Sequence, residues 1–342
     1  IGLCVKFSPM ELNLLLVDMK GGGFSDRLGS LPHCVGTVTN TAGESEGISA
    51  TYMLKRFLTS LNAEIKKRQI ILSQLGVDNT DAYMRVYRKI KNIHDWKNNP
   101  DKATKRRELI EEIKKGRNEK QIRFIEDDSD ITELKPLSHL VLVVDEFTEL
   151  KRFSSESGDI DFIAEITTIA RVGRTLGLHI ILISQNIEGA INDDIRVNTK
   201  SKICLKVATK QASKEMLGTT DAAAATMPGH GRAYILVGTG SRYEYFQSAY
   251  TGANRNMSIE PTVEISLVHT TGQVDTKFYK SDDDNEAIVK RNKDVSPEDT
   301  QLKHIVDQIV ALADDFDCPE KIFQQPLSSE INDSIELNKW ED

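Results

Sequence analysis

Five apolar residues in a row, Leu140 to Val144, stop at the acidic pair Asp145-Glu146. A run this short and without alternation reads as a strand covered on both faces, the kind found in parallel sheets. Two more runs share the form. Leu12 to Val17 stops at Asp18, and Leu178 to Ile183 stops at Ser184-Gln185. Helical spacing over Asp159 to Leu176 lies between the last two strands. Strands alternating with helices predict an α/β fold with a mainly parallel sheet flanked by helices. In such a sheet, ligands sit beyond the carboxyl ends of the strands. Three strands that deliver acids and amides to one edge therefore mark a site.

The rest of the chain fits around this centre. Ile1 to Phe7 reads as a helix tail, Val35 to Thr39 as a short strand, and Ile48 to Leu75 and Asp81 to Ile93 as helices. Residues 90–135 read as an exposed, charged helical insertion. Lys202 to Val207 and Ala233 to Val237 read as further strands around a short helix at Ala212 to Leu217, with Arg242 to Tyr250 closing the sheet edge. These residues make one domain, 1–255. Residues 256–342 read as an acidic linker, a helix at Leu302 to Ala313 and an extended strap at Glu320 to Leu327.

Charge and cysteine usage narrow the classes. The net charge of −8 argues against a polyanion binder. From Arg85 to Arg123, however, 14 Lys/Arg face 6 Asp/Glu, a local +8. Alternation such as Lys105-Arg106-Arg107-Glu108 reads as a solvated helix face, with nucleic-acid binding as the alternative. Four cysteines without CxxC spacing argue against a zinc site or a disulfide framework. No apolar stretch nears the ~20 residues of a spanning helix. Ile1 stands where Met would begin a chain, without a signal peptide. A piece of a longer cytoplasmic polypeptide is expected.

An apolar strand ending in Asp-Glu is the Walker B pattern. Asp145 would hold a hydrated Mg²⁺ that bridges ATP phosphates, and Glu146 would orient and deprotonate the attacking water. The plain alternative is a buried strand ending at an acidic turn. The partner motif G-x-x-x-x-G-K-[ST] is missing, since no Gly-Lys dipeptide occurs. Either the phosphate loop precedes Ile1, which is the expectation, or the domain is degenerate.

Several segments resemble a known family. Val17-Asp18-Met19-Lys20-Gly21-Gly22-Gly23 and Leu31-Pro32-His33-Cys34-Val35-Gly36 with Thr39-Asn40 are similar to the region after the P-loop in FtsK/SpoIIIE-type motors. So are Val144 to Leu150, Ala170 to Gln185, Pro228 to Tyr234 and Phe246 to Ala253. The triple glycine, the segment from Leu31 to Asn40 and the two last segments look more like the EssC/EccC ATPases of type VII secretion than like chromosome translocases. The tail resembles their connector to a following ATPase module.

The resemblance implies a RecA-like P-loop ATPase using ATP and Mg²⁺, and the missing phosphate loop leads to the expectation that this chain by itself is inactive. It implies a membrane-anchored parent with tandem ATPase modules, this part lying at the cytoplasmic face of the membrane. Implied partners are those modules and neighbouring subunits in a hexameric ring, the secretion membrane complex, and small helical secreted substrates. A DNA translocase and a non-hydrolysing regulatory module remain alternatives. Lys20 is placed to reach phosphate oxygens, against a solvated loop lysine. Gln185 is placed as the polar sensor, against a strand-end hydrogen bond. Arg174, with Arg171 second, is read as an arginine finger acting across a subunit boundary, against local pairing with Glu165 or Asp161. Gly173 beside it is read as allowing another chain to approach.

Overall fold

The computed structural model describes residues 1–21, 23–40, 49–126, 134–158, 160–185, 193–223, 231–238, 240–250, 252, 267–268, 274–275, 300–313 and 319–323. The acidic linker 281–299, the segment 228–230 and the strap residues 324–327 lie outside them.

Four strands form the centre: β1 (Leu12–Asp18), β2 (Cys34–Thr39), β3 (His139–Asp145) and β4 (Leu178–Leu182). All neighbours are parallel, in the order β2-β1-β3-β4. Because successive side chains point to opposite faces, Leu15, Val17, Leu140, Leu142 and Val144 fill the larger core. Leu14, Leu16, Val141 and Val143 fill a smaller core on the other face. Helix α1 (Gly2–Lys6) contributes Cys4 to that second core, the short α2 (Gly23–Leu28) follows β1, and the helix Gln301–Ala311 contributes Val306. This is the expected layered sheet.

Helix α3 (Ala50–Leu75) covers the larger core. Ser49 caps its start by accepting from the Tyr52 amide, and Gly76 ends it in the left-handed conformation, where a Cβ is unfavourable. Met53, Leu54, Phe57, Leu58, Leu61 and Ile65 recur at helical spacing on its buried side. Helix α4 (Thr80–Asp95) follows, then α5 (Ala103–Lys115) and α6 (Glu119–Glu126). The sequence reads these last two as an exposed insertion, and the structure corrects this. Ile113 and Phe124 are buried in the main core, with Leu109, Ile110, Ile122 and Ile125 packed against it. The density of charge hides that apolar stripe. Lys89–Glu112 (2.7 Å) and Lys114–Glu126 (3.4 Å) pairs neutralise part of the basic run.

Three further departures have physical causes. The helix expected over 159–176 is α8 (Phe162–Gly173), preceded by α7 (Leu150–Ser157), which turns at Gly158. The LHIIL run is covered on one face only. β4 ends the hydrogen-bonded order, and Ile181 and Ile183 stay 45% and 40% exposed. Finally, α9 (Asp193–Asn198) leads to β5 (Ser201–Leu205), α10 (Lys210–Leu217), β6 (Arg232–Val237) and β7 (Arg242–Gln247). β5, β6 and β7 form their own antiparallel sheet instead of extending the parallel one. β5 and β7 carry exposed or half-exposed side chains at most positions, and strands solvated on one side belong to antiparallel sheets.

The described end of the tail lies along β2. Backbone amides of Ile322 and Phe323 donate to the Val35 carbonyl, at 2.8 and 3.2 Å. The Phe323 ring meets Phe57 edge-on, with centroids 6.1 Å apart. A Cβ on Gly36 would lie 2.8 Å from Phe323 Cβ, so glycine is needed there. Among the described residues, no helix is long and apolar enough to cross a membrane.

Candidate functional site

Parallel register brings the strand ends together, with Asp18 of β1 directly beside Asp145 of β3. Asp18 is buried, its Oδ1 accepting from the Lys20 amide (3.0 Å) and its Oδ2 from the Ser25 amide (3.4 Å). At the end of β2, the Asn40 amide donates to the Asp18 carbonyl (3.3 Å). The Asn40 Oδ1 atom is buried without a partner among the described residues.

Glu146 follows β3 in the left-handed region, φ 51° and ψ 56°. A non-glycine residue there carries strain of about 1–3 kcal/mol and persists only where its surroundings over-determine it. They do so here. The Ile183 amide donates to the Val144 carbonyl (2.9 Å) and the Phe147 amide to the Ile183 carbonyl (3.0 Å), hooking the turn to β4. The carboxylate is surrounded by donors. Ser184 Oγ (2.5 Å) and Thr148 Oγ1 (2.6 Å) donate to Oε1. The Gln185 backbone amide (3.2 Å) and Lys20 Nζ (2.7 Å) donate to Oε2.

The electrostatics follow from this geometry. Burial pushes the Glu146 carboxyl up, but Lys20, then Ser184, Thr148 and the Gln185 amide, outweigh it and pull the pKa down to about 2. The bond to Glu146 raises the Lys20 ammonium above its ordinary value. Asp145 moves the other way. Burial, then the Asp18 charge beside it, raise its carboxyl. The Glu146 amide and the Lys20 charge offset this only in part, and a cation would relieve it further. Among the described residues, no three His, Cys, Asp or Glu side chains group around a metal position. A single carboxylate such as Asp145 would fit Mg²⁺, which binds through one or two carboxylates and completes its shell with waters and phosphate oxygens.

The structure therefore brings together Asp145, Glu146, Lys20 and the backbone of Gln185, whose side chain is exposed. It separates Arg171 and Arg174 from them. Both are exposed, and Arg174 follows the last residue of α8, where the chain turns into the start of β4. The Glu146 group lies at the opposite strand ends, about 20 Å away for seven residues of strand. Gly173 is buried, and a Cβ there would lie 2.6 Å from Leu178 Cβ. Close packing of helix on strand explains this glycine, rather than approach by another chain.

Sequence reasoning did not assign Ser184 and Thr148 as holders of Glu146. Ser184 was visible as a polar strand end. Thr148 acts only because the turn after Glu146 is a 3-10 turn, Phe147–Glu149. The histidines have no ligand spacing in sequence, yet strand pairing joins His139 Nδ1 to His179 Nε2 at 3.0 Å, with Asp81 Oδ1 3.2 Å from His139 Nε2. His33 Nε2 lies 2.7 Å from the Phe7 carbonyl, tying the segment before β2 to the end of α1 rather than closing a local turn.

Residues 1–188 match the sequence model of the FtsK/SpoIIIE family. The chain is 34% identical over 311 residues to the ESX secretion system protein EccC of Geobacillus thermodenitrificans, covering 91% of this chain and 17% of that protein. It is 30% identical over 345 residues to the type VII secretion system protein EssC of Staphylococcus aureus, covering 96% and 19%. The chain thus spans under a fifth of these curated relatives. The cytoplasmic domain of the Thermomonospora curvata type VII secretion ATPase EccC shares the fold, with a TM-score of 0.58 at 21% identity. That match covers 95% of this chain and 27% of the other. ATPases 2 and 3 of EssC from G. thermodenitrificans give 0.52 at 15% identity, covering 94% and 42%.

Proposed function

The chain belongs to the FtsK/SpoIIIE family, and on that premise we propose that it is an ATPase module of a type VII secretion motor. One observation carries the reading: Asp145, Glu146 and Lys20 converge at the carboxyl ends of adjacent parallel strands. In this reading Asp145 holds Mg²⁺, Glu146 is the general base, and Lys20 and the Gln185 side chain serve the phosphates. Bound Mg·ATP would supply the phosphoanhydride and the cation. The chain's own residues orient the water, accept its proton at a Glu146 carboxylate oxygen, and exclude bulk solvent. Arg174, with Arg171 second, would serve a neighbouring subunit's site, since neither reaches its own.

Residues 1–255 form the ATPase unit in this proposal, and 256–342 lead to a following module. The assembly is a hexameric ring at the cytoplasmic face of the membrane, working with the secretion complex to export small helical proteins. Partial neutralisation of the basic run, as by Lys89–Glu112, favours this over a DNA-translocating role. No Gly-Lys dipeptide occurs in the chain, so the chain as it stands should neither bind nor turn over ATP appreciably. The test joins a Walker A segment ahead of Ile1 and measures ADP release. Mg²⁺-dependent hydrolysis that disappears in Asp145→Ala is the expected result. Hydrolysis indifferent to Asp145→Ala would overturn the reading.

A further inference from the structure

Arg68 of α3 is 1% exposed, among the largest side chains that the fold buries completely. A guanidinium at that depth is costly, and well-packed apolar residues of similar volume often stabilise a fold as well or better. Its contacts show what it does instead. Nε donates to Glu64 Oε1, one helical turn earlier (2.8 Å). Nη1 carries two hydrogens and donates to two carbonyls, Ser138 ahead of β3 and Leu176 ahead of β4, each at 2.9 Å. The rigid fork of arginine suits three acceptors in fixed directions, where lysine offers a point charge on a flexible stem.

Leu176 lies in the four-residue turn 174–177 that joins α8 to β4. Three successive carbonyls of this turn are held, each by a different element. The Thr80 amide, at the start of α4, donates to the Thr175 carbonyl (3.0 Å). Arg68 of α3 takes the Leu176 carbonyl, and the Leu140 amide of β3 takes that of Gly177 (2.9 Å). Gly177 adopts a φ of +70°, and a Cβ there would lie 2.9 Å from Thr80 Oγ1, so the turn also packs closely on α4. Connecting turns are ordinarily the looser parts of a fold. This one is pinned from three sides, and its first residue is Arg174.

Arg174 is exposed, and among the described residues it makes no ion pair. Asp161, a candidate local partner, is committed to capping α8, its Oδ1 accepting from the Ile163 and Ala164 amides at 3.0 and 3.1 Å. The fold thus presents an unpaired cation from an immobilised base.

We propose that Arg68 is a positioning residue: it fixes the turn from which Arg174 reaches a neighbouring subunit. This rests on the reading of Arg174 as an arginine finger in an ATPase, and adds what aims it. A misplacement of about 1 Å arising far from the chemistry can cost about 10²-fold in rate. The side chain of Arg174 is long and free to change rotamer, so its root is the part that the fold can hold. Arg68 holds that root from the core, where water does not compete for the carbonyls.

The first arm of the test needs no nucleotide and uses the full chain. Backbone ¹⁵N relaxation should give the amides of residues 174–177 the order parameters of rigid backbone, about 0.85, equal to those of Val141 to Val144. A turn less ordered than β3 in the unaltered chain would overturn the proposal, whether or not any variant folds. In Arg68→Met combined with Glu64→Gln, which leaves no buried charge stranded, the turn should fall below about 0.6 while β3 keeps its values. A turn still as ordered as β3, or an equal loss in both, refutes the assignment. The second arm uses the chain joined to a Walker A segment. There the paired substitution should lower kcat about 10²-fold at unchanged KM for ATP. In an Arg174→Ala background it should cost nothing further. The same loss in both backgrounds would make Arg68 a structural residue only, and refute its aiming role. Arg174→Ala at full rate would refute it differently, by removing the finger itself. The Asp145→Ala test of the ATPase reading is independent of both results.

Discussion

Asp18 and Asp145 stand side by side in adjacent parallel strands, two carboxylates in register at the rim of the sheet. Two backbone amides donate to Asp18, and the Glu146 amide donates to Asp145 Oδ1. Like charges this close work against folding unless a cation joins them. Burial first, and then the Asp18 charge, raise the Asp145 carboxyl.

Asp145→Asn should therefore stabilise the metal-free chain. The folded carboxyl is raised, so its contribution is favourable below its ordinary pKa and is lost as pH rises through the folded value. At neutral pH the charged form is a liability that the amide removes. An increase in Tm is expected by thermal unfolding without Mg²⁺. An unchanged or lower Tm would show that the site does not strain the fold.

Glu146 gives the opposite sign. Its folded pKa of about 2 lies below the ordinary 4.5, so its stabilisation is present above 4.5 and lost as pH falls toward 2. Urea unfolding at a series of pH values should show stability falling across that window by up to about 3 kcal/mol on its account. Glu146→Gln should flatten that slope. Equal slopes in both proteins would remove the ion pair as its cause.

Gly173→Ala tests the packing of α8 on β4. A methyl group 2.6 Å from Leu178 Cβ forces a shift of helix or strand, and overpacking of this kind costs about 1–3 kcal/mol. A Tm equal to that of the unaltered chain would mean that the helix end yields freely.

Most of the parallel sheet was legible because unbroken apolar runs are rare outside doubly covered strands. The strand-end acids announced the site for the same reason: Asp145-Glu146 interrupts a run with nothing polar before it. What the sequence hid was context. LHIIL reads the same whether one face or two are covered, and only the strand order leaves Ile181 exposed. The stripe through Ile113 and Phe124 was masked by the charges around it. Ser184 lies 38 residues from Glu146 and only strand pairing brings it there, whereas Thr148 reaches Glu146 through the local 3-10 turn.

The arginines call for a mixing experiment. With a Walker A segment joined on, Arg174→Ala and Glu146→Gln chains should each be poorly active alone and regain turnover when combined, because their defects fall in different halves of a shared site. Arginine fingers are worth about 10³–10⁵ in rate in other phosphoryl-transfer enzymes. Mixtures no more active than either variant would refute action across subunits.

The central claim is that Glu146 is the base of an ATP-hydrolysing site at these strand ends. Its most direct test compares the unaltered and Glu146→Gln chains, each joined to a Walker A segment, measuring Mg·ATP affinity and ADP release on the same samples. The account predicts affinity nearly unchanged, because Asp145 and the phosphate loop remain, with turnover reduced by about 10²–10⁴. Full turnover in Glu146→Gln, in a protein that hydrolyses ATP before the substitution, would contradict it.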